Sequence, residues 1–547
     1  MSEADRLLSP AAAPALRSSA ADASAFPRPK ARSAARHGIP IILTADRTLF
    51  AGYRVLFEGM VSASQTSRTP SLVMKTLLAP AAQRDGFRAL QAPLGLRRVE
   101  SAMARAGLGQ ADVATVDPTS LKRAIGPDTR IIGISSGDPL GLGMNSTTMS
   151  AIVGGEIYTS RWFRHLTESI RRLRRSAPEA KVVLGGAGAW QLAGDRRAQE
   201  TLGIDHVVSG YCEGNIGELF GRISDGEELP CALAGARVAA VEKIPPILGP
   251  TLMGCVEISR GCGLGCAFCT LAREPMEHLP MDAILADAGT NLAAGVTDLV
   301  LVTEDVFRYG ARGARAQPAA LIELVARLRS LTATRLIQAD HANITSAAQF
   351  SDEELAAVRR GIVGAGRRHV VRRTRRTLEF VWLNLGVETA SGALLAANGG
   401  RAKMAGVEPQ AWDEFCELQV RRLVRLGWFP LISILFGLPG ETPADVERTL
   451  RWVRRLSGER LAVFPLFNAP LSAGAAPFGL KDMSPAHWRL FRECYDLNFR
   501  WVPRLFWDNQ SAAGVPLWRR STLHALGRAQ TLAWKCLFAA RSGRIRS

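Results

Sequence analysis

The chain has 547 residues, 47% of them hydrophobic and 22% charged, with a net charge of +18; at ~150 residues per domain it holds two to four domains with real cores. Nine cysteines, three clustered and six scattered, do not form a disulfide framework. With no uninterrupted apolar run of about 18 residues and no charged-then-apolar leader order, a transmembrane helix and a signal peptide are excluded and a cytoplasmic protein is expected.

Residues 1–37, rich in Ala, Ser, Pro and Arg, read as a disordered tail. Residues 38–235 have the rhythm of an α/β unit: a strand at Arg130–Ser136, a helix at Tyr158–Ser176, then strands within Lys181–Trp190 and Ile204–Gly214. Glycines follow two of these strands, at Gly141 and Gly143 and at Gly185, Gly186 and Gly188. They let a loop backbone approach a bulky ligand at the strand ends of an open sheet. A strand ending in Gly-Gly, followed by the run from Ile204 and Asp205 to Gly210, resembles the Rossmann-like cobalamin-binding domain found ahead of many radical S-adenosylmethionine (SAM) cores. The resemblance implies Ser135, Gly141, Gly185, Gly186 and Gly188 as cobalamin contacts. It lacks the Asp-x-His-x-x-Gly motif that supplies a lower axial histidine, and His206 reads as a core or edge residue. A Rossmann-like domain without the corrin is the alternative.

Cys262, Cys266 and Cys269 form a C-x3-C-x2-C triplet directly after a short strand. Three thiolates leave one iron of a cubane cluster open, since such a cluster takes four cysteines when fully ligated. Zinc wants four ligands, and no second pair follows at finger spacing. The spacing, with Ser259-Arg260-Gly261 before it and Phe268 inside it, resembles the radical SAM signature. That implies a [4Fe-4S] cluster whose free iron chelates SAM, reductive cleavage of SAM to a 5′-deoxyadenosyl radical, and an electron donor such as flavodoxin or ferredoxin.

From 250 to 470 apolar runs alternate with helix-like stretches, the pattern of parallel βα units. Strands are expected at Val256–Ile258, Asp298–Thr303, Arg335–Asp340, Trp382–Val387, Pro430–Phe436 and Leu461–Phe467. Helices are expected at Pro280–Ala294, Ala319–Leu331 and Pro443–Leu456. Six strands suit a partial (βα)6 barrel of TIM type, whose reactive groups gather at the C-terminal strand ends. Thr303-Glu304-Asp305 ends the second strand, where the resemblance implies a contact from Glu304 or Asp305 to the SAM amino group; the glycine pair usual there is missing. Gln338, Asp340, His341 and Asn343 end the third, as ligand contacts or as turn and capping groups. Gly386-Val387-Glu388-Thr389-Ala390-Ser391 ends the fourth, and the resemblance implies Glu388 as a contact to the SAM ribose. Gly437-Leu438-Pro439-Gly440-Glu441-Thr442 after the fifth is similar to the family's GLPGET turn, with a mostly structural role.

Residues 471–547 read as a helical extension in which Trp488, Trp501, Phe506, Trp507, Trp518 and Trp534 alternate with arginines. These aromatics either complete a core, line a substrate mouth, stack on nucleobases or seat a peripheral membrane contact. The runs Arg171–Arg175 and Arg451–Arg455 read as solvated helix faces, and the Arg367–Arg376 block as a loop that could meet an anion. The fold class is therefore α/β: a Rossmann-like cobalamin-binding type domain, a radical SAM barrel and a helical C-terminal cap. The activity implied is cobalamin-dependent methylation of an unactivated carbon, or another radical rearrangement or cyclisation without methyl transfer. A small-molecule, lipid or peptide substrate is open. A methylthiotransferase acting on RNA would want a second cysteine set and a terminal β-barrel, neither visible, so nucleic acid is disfavoured as a partner.

Overall fold

The computed structural model describes residues 37–364, 370–371, 376–377, 379, 381–471 and 476–543. The expected tail up to residue 36 and most of the Arg367–Arg376 block lie outside them. The chain divides into two compact units.

Of the described residues, the first unit comprises 37–52, 81–140 and 159–252. Its main sheet has six strands, β1 (Ile41–Ala45), β2 (Val113–Thr115), β3 (Ile131–Ser135), β4 (Lys181–Gly185), β5 (His206–Ser209) and β6 (Ala232–Ala234), in the order β2-β1-β3-β4-β5-β6. Every pairing is parallel. Alternation along the strands divides the core. Ile42, Ile132, Ile134, Val182 and Leu184 face the helix Tyr158–Leu173, and Ile41, Leu43, Ile131 and Val183 face helices Leu94–Arg105 and Ile216–Ser224. The order reverses between β1 and β3, the switch point outside which open α/β sheets bind ligands.

The second unit comprises residues 53–80, 141–158 and 253 onward. Its strands are β7 (Cys255–Glu257), β8 (Asp298–Val302), β9 (Leu336–Ala339), β10 (His341–Ala342), β11 (Trp382–Glu388), β12 (Phe429–Phe436) and β13 (Ala462–Phe467). β7, β8 and β9 pair in parallel, as do β10 to β13. β9 and β10 are one strand interrupted at Asp340, whose carbonyl accepts from Asn384 N at 2.8 Å. The result is an arc of six parallel strand positions. Helices Met281–Ala293, Pro318–Ser330, Asp352–Val363, Trp412–Arg425 and Pro443–Arg455 lie between successive strands, as βα units require.

The helix Pro443–Arg455 starts at Thr442, whose hydroxyl accepts from Asp445 N while the Asp445 carboxylate accepts from Thr442 N. Just before it, Glu441 accepts from Gly437 N at 2.8 Å and bonds His487 Nε2 at 2.9 Å, so the GLPGET turn is a structural corner. Helices Pro485–Ala512 and Leu517–Gly543 form the C-terminal cap, with Phe491, Tyr495 and Phe538 in mutual ring contact. Arg454 and Arg455 sit on an exposed face and pair with Glu493 and Glu417.

The sequence rhythm places residues 53–80 and 141–158 in the first domain, but both segments pack with the second unit. The helix Leu56–Ala63 docks through Glu58, 2% exposed, which accepts from Gln510 Nε2 at 3.0 Å and pairs with Arg519 at 3.3 Å. Its first amide, Leu56 N, donates to Gln338 Oε1 at 3.2 Å. Among the described residues, no helix is long and apolar enough to cross a membrane.

Candidate functional site

The cysteine loop leaves the C-terminal end of β7 and is held by backbone geometry that few residues other than glycine adopt. Gly261, Gly263 and Gly265 have φ of 71°, 70° and 77°. A Cβ at Gly261 would collide with the Pro275 carbonyl, and one at Gly399 with that of Gly265. Cys262 N donates to Glu274 O at 2.9 Å, and Arg308 donates to Cys262 O at 2.7 Å. Behind the loop Glu257 and Arg260 make a buried two-point ion pair at 2.7 and 3.0 Å.

All three thiols have raised pKa values, chiefly from burial, and Cys266 is pushed up to about 11. Cys262 feels Cys269, and Cys266 feels both of the others, so the three face a common space. Among the described residues no three His, Cys, Asp or Glu side chains close around one ion. Three soft thiols are a donor set suited to an iron–sulfur group.

β11 delivers Glu388 to the same loop. Its φ is 65°, in the left-handed region that non-glycine residues rarely adopt, where the β11–β12 register slips between Gly386 and Glu388. The carboxylate pairs with Lys403 Nζ, both side chains being one-tenth exposed. A Cβ at Gly386 would strike both groups, so that glycine makes room for the pair. Burial depresses the Lys403 ammonium, but Glu388 and Cys266 outweigh it and its pKa lies above the ordinary lysine value. Lys403 carries no motif signal of its own; only the fold brings it to Glu388 and Cys266.

β8 ends in Thr303, Glu304 and Asp305, and the structure separates the two acids. Asp305 is fully buried, and its oxygens accept from Ser346 Oγ at 2.6 Å and from the amides of Asn343 and Phe307 at 3.1 and 3.2 Å. Burial pushes it up to about 6. Its acceptor capacity goes largely to shaping the loop. Glu304 is raised by burial and lies within electrostatic reach of Cys269, as Asp305 does of Cys262.

At the β9–β10 break, Asp340 accepts from Asn384 Nδ2 at 2.6 Å and meets His341 Nδ1 at 3.1 Å. His341, held chiefly by Asp340, is pushed up to about 9. Asn343 stands at the start of the helix Ile344–Ala347 without a side-chain cap bond. Asn343 Oδ1 and Gln338 Nε2 are buried with no hydrogen-bond partner. Turn chemistry therefore leaves unspent polar atoms at this strand end.

In the first unit, the glycines chosen from sequence divide into two kinds. A Cβ at Gly186, where φ is 92°, would stand 2.7 Å from Ser135 Oγ, and one at Gly188 would strike Pro139, so these two let neighbouring loops pack. Gly185 would meet only Val208 O at 3.8 Å, and Gly137 and Gly210 nothing within 4 Å, so the ends of β3, β4 and β5 keep open backbone. Gly141, with φ of 72°, falls in the second unit. Asp46, just after β1, is buried against Thr48 and Ser136 and pushed up to about 6 by burial. His206 on β5 is buried and bonds Pro230 O at 2.9 Å.

No protein-family model matches the chain. The ribosomal protein uS12 methylthiotransferase RimO of Citrifermentans bemidjiense is 22% identical over 276 residues, 49% of this chain and 54% of that protein. RimO of Moorella thermoacetica is 26% identical over 187 residues, 32% and 41% of the two chains. The tRNA-2-methylthio-N(6)-dimethylallyladenosine synthase of Halorhodospira halophila is 24% identical over 295 residues, 52% and 55%. The chain spans about half the length of these curated relatives. Among solved structures, the radical S-adenosylmethionine methyltransferase TsrM from Kitasatospora setae, with cobalamin and a [4Fe-4S] cluster bound, is 15% identical; the match covers 79% of this chain and 74% of that one, with a TM-score of 0.48.

Proposed function

We propose that this chain is a radical SAM enzyme that methylates an unactivated carbon with the help of cobalamin. The observation that carries the reading is the strained Glu388, paired with Lys403 beside Cys266 at the C-terminal ends of six parallel strands. When bound, a [4Fe-4S] cluster and SAM supply the reductively generated radical, and cobalamin the methyl group.

Cys262, Cys266 and Cys269 would hold the cluster. Since burial keeps their thiols protonated, loading must release protons, and Lys403 offsets part of the thiolate charge at Cys266. Glu304 and Glu388 offer carboxylates to the amino and hydroxyl groups of SAM, while Gln338 and Asn343 supply an unspent donor and acceptor. In the first unit, open backbone at Gly137, Gly185 and Gly210 would bear the corrin together with Ser135. Gly186 and Gly188 would support that backbone from within, and Gly141 would contribute from the loop after β3. Flavodoxin or ferredoxin would deliver the electron.

The similarity to methylthiotransferases favours one second reading, transfer of a methylthio group to a ribosomal protein or tRNA. Single-turnover assays with methyl-labelled SAM separate the two. Label retained by cobalamin and passed to a product lacking new sulfur supports methylation; a product gaining sulfur with the label supports the second reading.

A further inference from the structure

The second unit contains a cavity of about 830 Å3 that the chemistry above does not use, near the upper end for small-molecule sites. Phe57, Val61, Met149, Val502, Phe506 and Trp534 furnish much of its wall. Three polar side chains in the wall are spent on the protein itself. Asn498 exchanges hydrogen bonds with both backbone groups of Val463, Asn145 bonds Ser64 and Ala63 O, and Gln65 bonds Gln530 and Thr69. Such a wall offers a ligand burial rather than hydrogen bonds.

Two lining residues connect the cavity to the barrel. Leu466 packs in one apolar cluster with Met144 and with Phe268 of the cysteine loop. Met60 Sδ lies 3.9 Å from Asn384, the residue bound to Asp340. At another part of the lining the charge changes. A Cβ at Gly154 would stand 3.5 Å from the Arg68 guanidinium and 4.0 Å from that of Arg541, so two cations share one spot. Arg68 is exposed, and Arg541 donates to Ala151 O at 2.6 Å. The helices beside the cavity also hold Leu72 and Leu532 in solvent, 73% and 67% exposed, an arrangement suited to contact with lipid.

We infer that the cavity binds an amphiphile with a long apolar body and an anionic head. The body lies along the wall toward Leu466, and the carboxylate or phosphate is held at Arg68 and Arg541. Taking this amphiphile as the substrate rests on the proposed function; the binding itself does not.

The test uses the full chain and 11-(dansylamino)undecanoic acid, with its methyl ester as the neutral control. Saturable one-site binding of the acid, displaced by palmitate or dodecyl phosphate, is expected, and the better competitor names the head group. Val502→Trp and Val61→Trp, which fill the wall, should abolish binding while circular dichroism reports folding. Arg68→Gln should weaken the acid about tenfold, the size of one lost charged hydrogen bond, and leave the ester unchanged. No saturable binding by the folded wild type, or equal binding by folded filled variants, overturns the inference; an equal effect of Arg68→Gln on acid and ester overturns the assigned head group. SAM cleavage without probe binding would refute the cavity alone, and probe binding without SAM cleavage the proposed function alone.

Discussion

The ammonium of Lys403 closes on the carboxylate of Glu388 with Cys266 as their common neighbour, and Gly386 has no side chain because that pair occupies the space. A buried pair is costly to break from one side, by about 3–5 kcal/mol, because the remaining charge is stranded. Lys403→Met should therefore destabilise the protein by that order. Glu388→Gln in the same chain should recover part of the loss, a coupling read from denaturant melts of both single variants and the double. Additive losses would mean that the two groups act independently. Gly386→Ala should also destabilise, since its methyl strikes both groups.

His341 gives a pH dependence with a defined sign. Its pKa is raised from the ordinary 6.5 to about 9 by Asp340, so the imidazolium is favoured in the folded state. The pair's contribution is complete below about pH 6.5 and is lost as pH rises through about 9. Because the imidazole is 50% exposed, solvent screening limits that contribution to on the order of 1 kcal/mol. Titration of the His341 ring by NMR should show the raised midpoint, and Asp340→Asn should return it toward 6.5. A midpoint unchanged by that substitution would assign the shift to another group.

Much of this architecture was legible in the chain. Strands expected at Asp298–Thr303, Trp382–Val387 and Pro430–Phe436 are observed at Asp298–Val302, Trp382–Glu388 and Phe429–Phe436, because apolar runs between turn residues carry a strong strand signal. The strand at Arg335–Asp340 was equally visible, but its break at Asp340 depends on the hydrogen bond from Asn384 N, which sequence periodicity does not register. Lys403 lay hidden because its role exists only once β11 and the residues after it fold back together. Asp305 looked like Glu304 in sequence, and only the positions of Ser346 and Asn343 separate them. The packing of residues 53–80 was unreadable for a related reason: an amphipathic pattern shows that a face is buried, not which domain covers it.

Glu58 accounts for much of that packing. Replacing it with Ala strands Arg519, 10% exposed at its side chain, and leaves Gln510 Nε2 without its acceptor. A loss of about 3 kcal/mol is expected. Limited proteolysis should then cut faster within 513–516, between the two C-terminal helices. Unchanged cleavage would mean that the apolar contacts alone hold the segment.

The claim that Cys262, Cys266 and Cys269 carry a cluster, in a chain that also binds cobalamin, is tested most directly by one spectrum. The protein is reconstituted anaerobically with iron and sulfide, supplied with hydroxocobalamin, desalted and scanned in the ultraviolet and visible beside Cys266→Ala. The account predicts a cluster band in the wild type that Cys266→Ala loses, with corrin bands retained in both. An equal cluster band in the variant, or no corrin band in either protein, would contradict it.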